Sequence, residues 1–274
     1  MDTILLIDAY NAFHRANVSF GPKEESDKPT YVMVYNFFRS LRVLVEQFNP
    51  NKVFLCTEGS KCFRYGIFPE YKANRIIKHS SKNQSDVDDF NRQSGIILDL
   101  IQLLPIITVK ADGYEADDVI ASLAESLKDE AVIILSNDSD FVQLLQKGYK
   151  NLRLYSPIKK EYVEAPEYPY TVWKSLAGDK SDSIPGLVGP KTAEKLLANP
   201  DKLKEFFDSE EHRANFNLNK ELIELRIVDD DKLQFTEYNV NFAQLKEEFT
   251  RMEFNSILDD KSWNKFVDTF KDVR

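Results

Sequence analysis

Short, nearly unbroken apolar runs alternate along this chain with segments whose apolar residues return every three to four positions. The runs are Thr3–Ile7, Val53–Cys56, Ile106–Lys110, Val132–Ser136 and Leu152–Tyr155, all rich in Val, Ile and Leu. A strand covered on both faces has this continuous character, so the runs predict parallel strands between helical layers. The helix-period segments between them are Tyr31–Gln47, Ile96–Leu104, Ala116–Lys128 and Phe141–Lys147. Strand and helix in alternation predict an α/β fold, with a mostly parallel central sheet and flanking helices.

After Pro166–Pro169 the pattern changes. Strand signals thin out, and helical periodicity dominates Tyr170–Leu176, Lys191–Leu197, Leu203–Phe207, Glu221–Val228, Phe242–Phe249 and Ser262–Phe270. The expectation is an α/β core over residues 1–165 and a mainly α region over 166–274, with a soft boundary because the two could pack as one body. The stretch Glu70–Gln93 suits neither part. It is polar and basic, then acidic at Asp86, Asp88 and Asp89. A long segment without its own core is usually functional or disordered, so it is read as a mobile, partly helical excursion over the strand ends.

Composition changes this picture little. The 274 residues are 42% hydrophobic and 30% charged, as in ordinary globular proteins. No repeat or low-complexity tract is present, and the apolar runs are far too short to span a bilayer. The first strand begins without a basic flank or a cleavage-like site, so no secretory leader is expected. Two cysteines, Cys56 and Cys62, give neither a disulfide framework nor a zinc spacing, and point to a reducing, cytosol-like compartment.

The position of the acids is more telling. Asp8 closes the first run, Glu58 follows the second, and Glu115, Asp117 and Asp118 crowd Gly113–Val119. Asp138 and Asp140 follow the run ending at Ser136, and Asp179 and Asp182 sit in Gly178–Ile184. Ligand sites in parallel sheets collect beyond the carboxyl ends of the strands, where Asp8, Glu58 and Asp138 are predicted to lie. Hard divalent cations take carboxylate oxygens, and two cations about 4 Å apart need several of them. The nine acids therefore read together as one two-metal site of the kind that serves phosphodiester chemistry. Plainer explanations exist for single acids. Glu115 and Asp118 share a face in a helix's first turn, where the dipole favours acids by roughly 0.3–1 kcal/mol. Asp140 can cap the following helix, and Asp179 and Asp182 suit a turn. Capping accounts for one or two acids, not for three within four positions beside other acidic groups.

The net charge is −9, yet the chain is neutral once those nine carboxylates are set aside. Between Lys61 and Lys82 the balance reverses: Lys61, Arg64, Lys72, Arg75, Lys78 and Lys82 face only Glu70. This is either a solvated helix face or a positive patch beside the acidic site. In Ile184–Leu197 a turn containing Gly186 and Gly189 leads into a helix with Lys191 and Thr192 in its first turn. Exposed backbone N–H groups and a helix N-terminus can hold a phosphate without reading bases. It resembles a helix-hairpin-helix element, with a plain interhelical turn as the alternative.

In this order the motifs resemble the 5′-nuclease family: flap endonucleases and the 5′→3′ exonucleases of phages and bacterial polymerases. The resemblance runs from Ile4 to about Leu197 and is most specific in Gly113–Val119, Ser136–Leu144 and Leu176–Leu197. It implies a PIN-like core and metal-ligand roles for Asp8, Glu115, Asp117, Asp118, Asp138, Asp140, Asp179 and Asp182. Phe63-Arg64 followed by Tyr71–Arg75 resembles the stretch leading into the family's helical arch. Lys72 and Arg75 match the cations that act there on the scissile phosphate, Lys61 and Arg64 are expected at the DNA, and Tyr71 is read either as stacking on a base there or, equally, as a core tyrosine. The family usually ends its second strand on aspartate, and here the role falls on Glu58. The glycine turn is shorter than the common form, which counts against potassium binding. The cofactors implied are two Mg²⁺ ions, replaceable by Mn²⁺. The substrates implied are DNA with 5′ flaps, nicks or RNA primers, in replication or repair, with replication proteins as candidate partners and no membrane. The setting implied is the cytoplasm of a bacterium or phage-infected host, for a free-standing enzyme without a polymerase region. The rivals are a single-strand-specific ribonuclease on a related core and a non-catalytic DNA-binding relative.

Overall fold

A computed structural model describes residues 2–17, 30–75 and 83–274. Lys78, Lys82 and the middle of the expected excursion lie outside the described residues. The five apolar runs form β1 (Thr3–Asp8), β2 (Lys52–Cys56), β3 (Ile107–Lys110), β4 (Ala131–Leu135) and β5 (Leu152–Ser156). They pair in parallel, and two short antiparallel strands, β6 (Glu161–Val163) and β7 (Gln234–Thr236), close the edges in the order β6-β5-β4-β1-β2-β3-β7.

The central strand shows why its run is unbroken. Leu5 and Ile7 pack into one core, and Ile4 and Leu6 into the other. Because successive side chains alternate faces, a strand buried on both sides needs apolar residues at every position. The helices are α1 (Ala9–Ala16), α2 (Val32–Phe48), α3 (Arg64–Ile67), α4 (Gln84–Ile101), α5 (Ala116–Ser126), α6 (Val142–Leu145), α7 (Tyr170–Ala177), α8 (Pro190–Leu197), α9 (Pro200–Phe206), α10 (Glu210–Ile223), α11 (Phe242–Arg251), α12 (Asn255–Leu258) and α13 (Asp260–Phe270). α1, α2, α4, α11 and α13 fill one face through Phe13, Phe38, Ile97, Phe249 and Phe266. α5, α6 and the start of α7 fill the other through Val119, Ile120, Leu144 and Tyr170.

The packing departs from a division at residue 165. Residues 170–223 form a helical group, but β7 then returns to the edge beside β3, and α11–α13 bury Leu245, Phe249, Trp263, Phe266 and Phe270 in the first core. The expected helix Glu221–Val228 is also different: α10 ends at Ile223, and Leu225 and Val228 drop into the second core from non-helical backbone. Side chains take the terminal carbonyls. Arg64 donates to Leu222 O and Glu224 O, and Gln143 donates to Ile223 O. Among the described residues no helix is long and apolar enough to cross a membrane.

One consequence can be measured. Phe249 is fully buried, so Phe249→Ala should cost about 3–5 kcal/mol. Far-UV and near-UV signals of the variant should be lost in one transition, because these helices share the core of β1. Two separated transitions would mean that residues 166–274 fold as an independent unit.

Candidate metal centre

The acids are assembled by the ends of neighbouring strands. Asp8 ends β1 and caps α1, accepting from the Asn11 N–H at 3.0 Å and from Ser136 Oγ at 2.9 Å. Ser136 follows β4, which pairs with β1, so the loop carrying Asp138 and Asp140 lies alongside. Asn137 fixes that loop by donating Nδ2 to Asn11 Oδ1 at 2.7 Å. Asp138 accepts the Asp140 N–H at 2.9 Å in a short 3₁₀ turn. On the other side of β1, Glu58 follows β2. There Gly59 crosses the loop after β3 so closely that a Cβ would overlap the Ala111 carbonyl. Backbone bonds Gly59 N–Tyr114 O (3.0 Å), Gly113 N–Ser60 O (2.7 Å) and Phe63 N–Gly113 O (2.8 Å) zip the two loops together. That zip sets Glu58 near Glu115, the cap residue of α5.

Their charges interact strongly. Burial pushes Asp8 up to about 6, against the hydrogen bonds from Asn11 and Ser136, with Asp138 and Glu58 adding repulsion. Asp117, in the first turn of α5, is raised well above the ordinary carboxylate range by desolvation, then by Asp138, Asp8 and Glu115. Glu58 stands at the exposed rim and is raised by desolvation and by Glu115 and Asp182, against Lys72 and Arg75. Asp138, Asp140, Asp179 and Asp182 line one open cleft with Lys174. Burial lifts Asp140 to about 6 even beside Lys174. Burial would raise Asp179 too, but Lys174 and Ser181 outweigh it and hold that carboxyl down at about 2.

Cations fill part of this crowd. Lys174, on α7, is 6% exposed and bridges Asp140 and Asp179. Sequence reasoning missed it, since nothing marks a lone lysine in the apolar-rich stretch before the turn. Lys72 is 8% exposed, has φ +57°, and sets its ammonium on Glu115, while its backbone N–H donates to Asp182 O at 2.8 Å. Arg75 is half-exposed and pairs with Asp182. Among the described residues, no three acidic groups close around one point as the side chains stand.

Two expectations need correction, for Arg64 and Asp118, and of the two readings of Tyr71 the core tyrosine is the one that fits. Tyr71 is 2% exposed, and its hydroxyl donates to Glu115 (2.9 Å) and Asp182 (3.2 Å), so it cannot stack on a base. Arg64 is 1% exposed and cannot reach DNA, because its guanidinium is spent on Asp118, Glu115 and two carbonyls. Asp118 is 0% exposed. Both its oxygens face Arg64 and also accept the Glu115 and Arg226 N–H groups, which removes it from the open cluster. Lys61 is exposed on the zipped loop. Another group the sequence did not reveal is aromatic: Tyr10, just past Asp8, lies beside His14, which stacks on Phe90 at 4.8 Å.

The glycine turn divides by role. Gly178 ends α7 at φ +75°, and a Cβ on it or on Gly186 would collide with backbone across the turn, so both serve the fold. Gly189 caps α8 at φ −70° with nothing near its missing Cβ, and Lys191 and Thr192 stand exposed in the next turn.

The donor set fits hard divalent cations. It is all oxygen, several members are destabilised by like charge, and Asp117 has no hydrogen-bond donor among the described residues. A cation would offset that repulsion more fully than the two lysines do.

A family profile described as "5'-3' exonuclease, N-terminal resolvase-like domain" matches residues 3–168. The thermostable DNA polymerase I of Thermus filiformis is 33% identical over 205 residues, covering 71% of this chain and 23% of the polymerase. The 5'-3' exonuclease of Mycobacterium tuberculosis is 30% identical over 205 residues, covering 66% of this chain and 64% of that protein. The chain thus spans about a quarter of the length of several polymerase relatives it matches. Among solved structures, the bacteriophage T5 flap endonuclease, in a pseudo-enzyme–product complex with DNA and metal ions, superposes with TM-score 0.63 at 17% identity, covering 98% of both chains. At that identity the likeness concerns the fold.

The raised carboxyls have a sign that can be tested. Asp8 and Asp140 bind protons in the folded state near pH 6 that the unfolded chain releases near pH 4. Metal-free protein in chelator should therefore gain stability as pH falls from about 6 towards 4. Lower still, Asp179, held near 2, loses its ion-pair contribution. A divalent cation should raise Tm more at pH 7 than at pH 5, because protons compete for the same oxygens. Thermal unfolding across this range checks both. If Asp8→Asn with Asp140→Asn leaves the pH 4–6 slope unchanged, the crowding is not its source.

Proposed function

The chain belongs to the 5′–3′ exonuclease family, and we propose that it is a metal-dependent, structure-selective 5′-nuclease cutting DNA at 5′ flaps, nicks and RNA primers. The observation that carries this reading is the crowd of carboxylates at the ends of β1, β2 and β4, at the start of α5 and after α7, with several raised and buried ammonium groups set among them. Asp8, Glu58, Glu115, Asp117 and Asp138 would hold one divalent cation, and Asp138, Asp140, Asp179 and Asp182 a second. Asp118 is left out, since Arg64 occupies its oxygens. Mg²⁺ or Mn²⁺, when bound, supplies an activated water and stabilises charge on the reacting phosphate.

The chain's own groups do the rest. Lys72 and Arg75 bring positive charge to the edge of a cleft that would otherwise repel a phosphodiester. Tyr10, with His14 and Phe90, offers aromatic surface beside Asp8 on which a base can stack. The backbone N–H groups of Gly189 and Lys191, on either side of Pro190 at the start of α8, and the Lys191 ammonium would meet duplex phosphates, a contact that would be salt-sensitive and blind to sequence. The T5 complex with DNA and metal ions supports the reading through its shared fold. Flaps and primers arise in replication and repair. The bacterial or phage-infected cytoplasm is the setting proposed, with replication proteins as partners there.

End-labelled flap, nicked and single-stranded substrates decide between this reading and its rivals. Flap and nicked duplex should be cut with Mg²⁺ and spared in chelator. Cutting confined to single-stranded RNA would point to the ribonuclease, and binding without cutting to a non-catalytic relative. Asp140→Asn should slow single turnover by a factor on the order of 10³, about 4 kcal/mol, and Lys72→Ala by more than about tenfold, roughly 1.4 kcal/mol. Wild-type rates in either variant would remove that side chain from the mechanism. Gly189→Val with Lys191→Ala should weaken duplex-containing substrates more than single strands. Equal loss on both would leave the turn a purely structural role.

A further inference from the structure

Arg64 is the largest fully buried side chain among the described residues. A buried guanidinium is tolerated only when its donors are matched, and this one is matched in full. Nε donates to Leu222 O at 2.7 Å. Nη1 donates to Asp118 Oδ2 at 2.6 Å and Glu115 Oε2 at 3.2 Å, and Nη2 to Asp118 Oδ1 at 2.9 Å and Glu224 O at 3.1 Å. One side chain thus joins α3, the start of α5 and the end of α10. Lysine cannot replace it, since only the planar fork meets Asp118 side-on and keeps Nε for a carbonyl.

The link continues to the cleft. Glu115 Oε2 accepts from both Arg64 and the Tyr71 hydroxyl, and Oε1 accepts from Lys72. Its carboxylate is held from three directions, and two of the three holders sit on the short segment that Arg64 begins. Tyr71 also reaches Asp182, across the cleft.

We propose that Arg64 is a positioning residue: it fixes Glu115 and anchors the segment bearing Lys72, so that the acidic cluster and the lysine are set in place together. It faces neither the cleft nor any substrate. The effect on cleavage rests on the nuclease reading, whereas the effect on cation affinity stands apart from it.

The test is Arg64→Lys, which keeps the charge and loses the fork, studied beside wild type in the full chain. Calorimetric titration with Mn²⁺ alone should show affinity weakened at least about threefold in protein that still melts cooperatively. On a flap substrate, single-turnover cleavage should fall at least about tenfold with DNA affinity unchanged. On the Lys72→Ala background the same substitution should cost far less, because part of what Arg64 sets in place, the Lys72 ammonium, is already gone. A simple brace would lower Tm but leave Mn²⁺ affinity and the cycle's additivity intact. Unchanged affinity and rate in folded Arg64→Lys, or full additivity with Lys72→Ala, overturns the proposal. Should Arg64→Lys not fold, Tyr71→Phe removes the other donor to Oε2, and an unchanged Mn²⁺ affinity there overturns it equally. If wild type cuts no flap, the nuclease reading fails, and the Mn²⁺ titration still decides the role of Arg64.

Discussion

Carboxylates crowded at the ends of parallel strands repel one another, and most of what surrounds this cleft answers that repulsion. Backbone and hydroxyl donors meet Asp8 and Asp138, because those acids also cap the turns that follow their strands. Buried ammonium groups meet Glu115, Asp140 and Asp179. What is left over appears as raised proton affinity at Asp8, Asp117 and Asp140. The sheet imposes the crowding: β1 lies between β2 and β4, so residues just past three adjacent strands must share one edge.

Adjacent acids have opposite fates for geometric reasons. Asp117 and Asp118 are about 100° apart around the first turn of α5. Asp117 faces Asp8 and Asp138, whereas Asp118 points inward and is consumed by Arg64. One acid keeps a destabilised charge at the cleft. Its neighbour is part of the frame that holds the cleft's shape, and the same frame ties the ends of α10 and α3 to α5.

Much of this was legible in the sequence. The five apolar runs became the five parallel strands, because burial on both faces keeps polar positions out of the middle of β1, β2 and β4. The acids stood out because they follow those runs. Other features carry no such signal. β6 and β7 are three-residue edge strands, too short to show alternation. α10 buries only Asn219, Leu222 and Ile223 near its end, so its periodicity is faint. The return of α11–α13 to the first core depends on tertiary packing that no local pattern encodes. Charge was also misleading between Lys61 and Lys82, where Arg64 and Lys72 look like surface cations but are buried on acids. Composition reports the sign of a side chain and is silent on which way it points. The Lys174 bridge was invisible for the same reason.

The carboxylate crowd is proposed as a two-cation site. Anomalous diffraction from crystals grown with Mn²⁺ tests it most directly. Two peaks are expected, one among Asp8, Asp117 and Asp138 and one among Asp140, Asp179 and Asp182, with the Lys174 ammonium displaced from at least one of its partners. No peak at these oxygens at saturating Mn²⁺, with Lys174 still bridging Asp140 and Asp179, would contradict it.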